Sequence, residues 1–187
     1  MSPLNIALVG PRGAGKTTVA RSLAVATEWP ALSTDTLVSY EAAGASIPQL
    51  VASSGGTFAE FREREYQVLG KVCRLHEVIL DCGGGIVVDL DEDGGERFSE
   101  RKVALLHAHS LIFFLHPRLE DVAEEIVGDQ RRPSLGDASP QQIYEQRLPW
   151  YRRAAHHELA VRAGGLQAVV AAVRDAMHGA GLLERAR

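Results

Sequence analysis

Gly10-Pro11-Arg12-Gly13-Ala14-Gly15-Lys16-Thr17 reads as glycine, four residues, then Gly-Lys-Thr, the pattern of a phosphate-binding loop. What surrounds it decides the fold. Leu4 to Val9 is an apolar run of strand length, and Val19, Ala20, Leu23 and Ala24 follow at helical spacing. A glycine-rich turn can match the pattern by chance, but a strand before it and a helix after it give the match a mechanism. Backbone N–H groups of such a loop converge on an anion, and the following helix points its positive end at the same spot. Lys16 then reaches the β- and γ-phosphates and the Thr17 hydroxyl holds Mg2+, with Gly13, Ala14, Gly15 and Thr18 completing the cradle. The stretch predicts a site for a nucleoside triphosphate with Mg2+, with Lys16 on the surface of an open cleft.

Composition narrows the class. At 187 residues and 45% hydrophobic content, one layered core can form without cross-links. Lys and Arg number 20 against 24 Asp and Glu, a balance that argues against a nucleic-acid module built on a basic surface. No stretch is long and apolar enough for a membrane span, and residues 1–9 lack the charged start and apolar core of a signal peptide. Cys73 and Cys82 have no metal-site spacing and read as reduced, packed thiols. The histidines at 107, 109, 156 and 157 read as surface or helix-end residues, without the spacing of a metal site. The expectation is a cytoplasmic, monomeric enzyme acting on a small molecule, with no nucleic-acid or membrane partner.

Strand and helix candidates alternate along the chain. Pro30 to Ser33 reads as a second strand running into Thr34-Asp35, and residues 36–54 as short helical pieces broken at Gly44 and Pro48. Phe61, Glu65, Val68, Leu69, Val72 and Leu75 mark a longer amphipathic helix begun near Thr57. Val78 to Cys82 is a buried strand that ends in Gly83-Gly84-Gly85. Asp89 to Glu96 reads as a solvated polar loop. A helix near 100–107 precedes the most apolar strand, Leu111 to Leu115. Leu119 to Val127 reads as a helix and 128–138 as a basic loop carrying Arg131-Arg132-Pro133. Ser139-Pro140-Gln141-Gln142 opens another helix with a capping box and proline in its first turn. Leu159 to Val161 is a last strand, before Gly164-Gly165 and a C-terminal helix. The alternation predicts an α/β fold with a parallel sheet covered on both faces, within a single domain over 1–187. Ligands collect beyond the carboxyl ends of such strands. The phosphate loop, Thr34-Asp35, Asp81 with the glycine triplet, and the basic loop all fall there.

Several of these pieces, in this order, resemble the shikimate kinase family over nearly the full chain. They are residues 10–18, Thr34-Asp35, Phe61-Arg62 with Glu65, Gly83-Gly84-Gly85, Arg132-Pro133-Ser134-Leu135, and Arg147-x-Pro149-x-Tyr151. The resemblance implies a three-layer α/β/α P-loop kinase fold with a five-stranded parallel sheet and a mobile lid near 128–139. It implies ATP-dependent phosphorylation of a shikimate hydroxyl to shikimate 3-phosphate, within aromatic amino acid biosynthesis. Arg62 and Arg147 would clamp the acceptor carboxylate, since guanidinium forks match carboxylate geometry. Asp35 would orient the acceptor hydroxyl or take its proton, Glu65 would brace Arg62, and Gly83, Gly84 and Gly85 would let backbone approach the ring. Arg132 would fold over the nucleotide with the lid and stabilise the transferring phosphoryl group.

Three departures from the family pattern carry expectations of their own. Ser33 stands where the family has an acidic residue associated with magnesium. Thr57-Phe58 replaces an expected Gly-Glu ahead of Phe61-Arg62. Extra residues, about 90–98, separate the glycine triplet from the Leu111–Leu115 strand and bring Asp89, Asp91, Glu92 and Asp93 toward the acceptor side. Asp81, at a strand end beside the phosphate loop, either takes over the lost metal role or only bonds nearby backbone. Asp35 either serves the acceptor or caps the helix behind it. A kinase of another small polyol or sugar acid, or a nucleotide-binding regulator without turnover, remains an alternative reading.

Overall fold

The computed structural model describes residues 4–117, 139–161 and 165–183. Its elements run β1 (Asn5–Val9), α1 (Lys16–Thr27), β2 (Ala31–Ser33), α2 (Thr34–Glu41), α3 (Ile47–Ser53), α4 (Ala59–Val72) and β3 (Ile79–Asp81). Then come β4 (Val88–Leu90), β5 (Glu96–Phe98), α5 (Glu100–His109), β6 (Ser110–Pro117), α6 (Pro140–Ala154), β7 (His157–Val161) and α7 (Leu166–Gly179). Five strands form one parallel sheet in the order β2-β3-β1-β6-β7. The lid and the helix expected at 119–127 lie outside the described residues.

Period-two alternation along the central strands separates two apolar layers. Ile6 and Leu8 of β1, with Phe113 and Leu115 of β6, pack against Val19 and Leu23 of α1 and Val173 and Met177 of α7. Ala7, Val9, Ile112 and Phe114 face the other way, onto Phe61, Val68 and Leu69 of α4, Leu106 of α5 and Tyr144 and Tyr151 of α6. Trp29 is buried in the first layer, and Trp150 is partly buried against the second. Because both faces are covered, the central strands carry continuous apolar runs, Ile6 to Val9 in β1 and Leu111 to Leu115 in β6.

Several local readings change. Pro48 does not break a helix; it sits in the first turn of α3, where a missing N–H costs nothing, behind a Ser46–Gln49 capping box. Helix α4 starts at Ala59, two residues later than expected, and ends before Leu75, which is exposed. The stretch from Asp89 to Glu96 is a solvated loop only at its tip, residues 91–95. It belongs to an antiparallel hairpin, β4–β5, pairing Val88 with Phe98 and Leu90 with Glu96, and Asp89 is buried. His156 is an exposed helix-end residue, as expected, and its Nδ1 accepts the Ile112 N–H at 3.0 Å, which ties β6 to the end of α6. Cys73 and Cys82 are free and buried, and burial pushes the Cys73 thiol up to about 12. Among the described residues no helix is long and apolar enough to cross a membrane.

Candidate active site

Loop geometry at the end of β1 prepares an anion site. Gly15 takes the left-handed conformation (φ 76°) as N-cap of α1, and no side chain caps that helix. Its first N–H groups are thereby left to an external acceptor. Lys16 is not exposed as expected. It is 8% exposed, and its Nζ donates to the carbonyls of Gly10 at 2.9 Å and Pro11 at 2.7 Å. Folding back over the loop lets those carbonyls replace the ammonium's water. The loop, residues 12–18, forms one wall of a cleft of about 450 Å3, completed by Ser33, Asp35, Asp81, Cys82, Gly83 and Gly84.

Two carboxylates enter this cleft from neighbouring strand ends. The Thr17 hydroxyl donates to Asp81 Oδ2 at 2.7 Å, so the loop threonine and the β3 aspartate meet across 64 residues of sequence. Ser33 has a different task from the carboxylate it replaces: its hydroxyl accepts from Thr36 N–H and caps α2. That settles the cap in favour of Ser33, and Asp35 occupies the first helical turn with its side chain against Gly83.

The glycine triplet explains how the remaining candidates come together. A Cβ on Gly83 would fall on the Asp35 carboxylate, and one on Gly85 would fall on the Arg62 guanidinium. On Gly84 it would lie 3.2 Å from the backbone nitrogen of Arg12 in the phosphate loop. The Gly84 carbonyl accepts from Arg147 Nη1 at 3.4 Å and from the Tyr151 hydroxyl. Three consecutive residues without side chains therefore bring α2, the phosphate loop, α4 and α6 to one point.

Behind the triplet lies a network of buried charge. Arg62 is 4% exposed, flanked by the Phe58 and Phe61 rings, and donates to Glu65 Oε2 at 3.0 Å. The same oxygen accepts from Lys102 Nζ at 2.7 Å, and Lys102 also donates to the Val88 carbonyl. Burial alone would raise the Glu65 carboxyl; Lys102 and Arg62 outweigh it and hold the group below its ordinary value. Asp89 is likewise held low against its burial, by Arg101, Ser99 and Lys102. Burial depresses the Lys102 ammonium, with Glu65 opposing. Arg147, 5% exposed, gives Nε to Glu96 Oε2 at 2.8 Å and Nη2 to Glu96 Oε1.

Of the sequence candidates, the structure assembles Gly13 through Thr18, Asp35, Asp81, Gly83 and Gly84 in the cleft wall, with Arg62, Glu65, Gly85 and Arg147 packed behind. Arg132 lies outside the described residues. Sequence reasoning missed Lys102, Tyr151 as a partner of Gly84, and Glu96. Lys102 did leave a signal, a charge beside Val103 on the buried face of α5. Glu96 left none, because its contact depends on hairpin register.

A parallel sheet with a phosphate loop at its centre and a cleft lined by carboxylates defines a P-loop phosphotransferase. Comparison with known proteins narrows this. The shikimate kinase family model matches residues 12–178. Shikimate kinase of Leptospira biflexa is 45% identical over 157 residues, 83% of this chain and 86% of the relative. That of Leptospira borgpetersenii is 41% identical over 158 residues, 84% and 88% of the two chains. The solved shikimate kinase from Acinetobacter baumannii in complex with shikimate superposes with a TM-score of 0.80 at 27% identity, covering 95% of this chain and 94% of that one. The chain belongs to the shikimate kinase family.

The charge network makes a prediction about acid. With a folded-state value below the unfolded one, about 4.3, Glu65 contributes stability that is present above that pH and lost as pH falls through the lower folded value. Glu65→Gln leaves Arg62 and Lys102 without their shared anion, a change of about 3–5 kcal/mol at neutral pH. Thermal midpoints of the two proteins should differ most near pH 7 and converge as the pH falls through the lower folded value. A gap that stays constant across the range would show that the Glu65 charge does not matter.

Proposed function

We propose that this chain transfers the γ-phosphoryl group of ATP to a hydroxyl of shikimate, giving shikimate 3-phosphate. One observation carries the reading beyond family membership. The glycine triplet sets the Asp35 carboxylate on the wall of the phosphate cleft and two buried guanidinium groups directly behind that wall. An acceptor with one carboxylate and several hydroxyls matches that set, because Arg62 and Arg147 can grip its charged end while Asp35 faces a hydroxyl. The Acinetobacter baumannii relative was solved with shikimate bound, which supports the same choice.

ATP with Mg2+ would supply the phosphoryl group and neutralise its charge. The residues present fit that pair: the uncapped first turn of α1 and Lys16 suit phosphate oxygens, and the Thr17–Asp81 contact joins the two oxygen donors expected for the cation. Asp35 orients the acceptor hydroxyl and is placed to take its proton. Arg132, in the segment the sequence marks as a lid, would stabilise the transferring group. Gly83, Gly84 and Gly85 keep the acceptor wall flat, and Glu65 braces Arg62. Asp81 takes the place of the carboxylate lost at Ser33.

A coupled nucleotide assay with shikimate, quinate and gluconate tests the assignment directly, with turnover expected on shikimate. Lys16→Ala should lower kcat at least about a hundredfold while circular dichroism stays native. A folded Lys16→Ala protein with normal turnover would remove the kinase reading. Arg62→Ala and Arg147→Ala should each raise the shikimate KM roughly ten- to a hundredfold and leave the ATP KM near wild type. If only the ATP KM moves, the arginines serve the nucleotide. Asp81→Asn should raise the magnesium concentration for half-maximal rate, and Ser33→Asp in that background should restore part of it; an unchanged titration would leave Asp81 as a partner of Thr17 alone.

A further inference from the structure

We propose that Glu96, on the β4–β5 hairpin, is a positioning residue for the acid acceptor: it holds the Arg147 guanidinium in the orientation that receives the substrate carboxylate. The proposal rests on the acceptor role of Arg147 given above. A guanidinium has five N–H groups. Glu96 takes one on Nε and one on Nη2, and the Gly84 carbonyl takes one on Nη1. The Tyr151 hydroxyl also takes a hydrogen bond from this guanidinium, and the N–H that remains is left for a bound carboxylate. The orientation is thus set by contacts on two sides, one from the hairpin and one from the glycine triplet.

The alternative is a latch, in which Glu96 mimics the substrate carboxylate and must leave before it binds. The anchoring of the hairpin argues against this. On β4, Asp89 accepts from the Ser99 hydroxyl at 2.7 Å and from Arg101 Nε at 2.9 Å, and Arg101 continues to Glu63 on α4 at 2.7 Å. On β5, the Arg153 guanidinium of α6 stacks over Phe98 at 4.2 Å. Glu96 sits in the ladder itself, paired with Leu90. A carboxylate set on so fixed a base is suited to holding a partner, not to releasing it at each turnover. There is also a charge reason. Arg147 is almost fully buried, and a buried cation without a counter-ion is costly, so an acceptor site built on it needs an anion present before substrate arrives. Glu65 does the same for Arg62. Each acceptor guanidinium therefore has its own carboxylate, one from its own helix and one from the hairpin.

The experiment is a double-mutant cycle on the full chain: wild type, Glu96→Gln, Arg147→Ala and the double variant, with KM for shikimate and for ATP, kcat and thermal midpoint for each. Glutamine keeps the shape and loses the charge. Expected is a rise in the shikimate KM of Glu96→Gln of roughly five- to fiftyfold, an ATP KM close to wild type, and no further rise when Glu96→Gln is added to Arg147→Ala. An unchanged shikimate KM in Glu96→Gln overturns the proposal, and a lowered one identifies Glu96 as the latch instead. An equal rise in the Arg147→Ala background also overturns it, since Glu96 would then act through the fold and not through Arg147. A wild type active on shikimate whose Arg147→Ala variant keeps a normal KM fails the acceptor reading of Arg147, which is a separate result from failure of Glu96 alone.

Discussion

Close approach of backbone at the end of β3 is the constraint on which the site depends. Asp35, the phosphate loop, Arg62 and Arg147 come from four separate stretches of chain, and each packs against one member of the triplet. Any side chain there would push one of them away, so the spacing between the nucleotide side and the acceptor side is set by the absence of three Cβ atoms. The sheet supplies the rest. With β1 at its centre between β3 and β6, the loop after β1 and the triplet after β3 lie on adjacent strand ends, and their residues need only short reaches to meet.

Charge is the second organising influence. Arg62, Glu65, Lys102, Asp89 and Arg147 are all buried, and each has an ion partner. Buried ion pairs of this kind add little net stability compared with apolar packing, because desolvation offsets the attraction. Their effect is geometric. A guanidinium on a long side chain has many rotamers, and a carboxylate bonded to it removes most of them. The hairpin that supplies Glu96 and Asp89 is thus tied electrostatically to Arg147 and Lys102, though its tip, residues 91–95, is exposed.

The parts of this arrangement legible in the sequence are those set by local rules. The phosphate loop, the alternation of strands and helices, the capping box at Ser139 and the triplet all follow from spacing, residue size or backbone freedom within a few positions. Pro48 was misread because proline both ends helices and begins them, and only the Ser46–Gln49 cap decides between the two. A run of acidic residues has the signature of a solvated loop, which holds at the hairpin tip, whereas the burial of Asp89 depends on Arg101 and Ser99, ten or more positions away. Lys16 was placed on the surface because its partners are loop carbonyls, which composition cannot rank against water. Register and side-chain direction, not residue type, separate the two groups.

The two tryptophans lie on opposite sides of the sheet, Trp29 with α1 and α7 and Trp150 on α6, three residues from Arg147. Natural fluorescence in this protein is therefore divided between a layer that carries the phosphate loop's helix and a layer that carries Arg147. A single-tryptophan version that keeps only Trp150 turns α6 into a built-in optical probe, reporting events around Arg147 without an attached dye. The complementary version reports on the opposite layer, so the two halves of the molecule can be followed as separate signals.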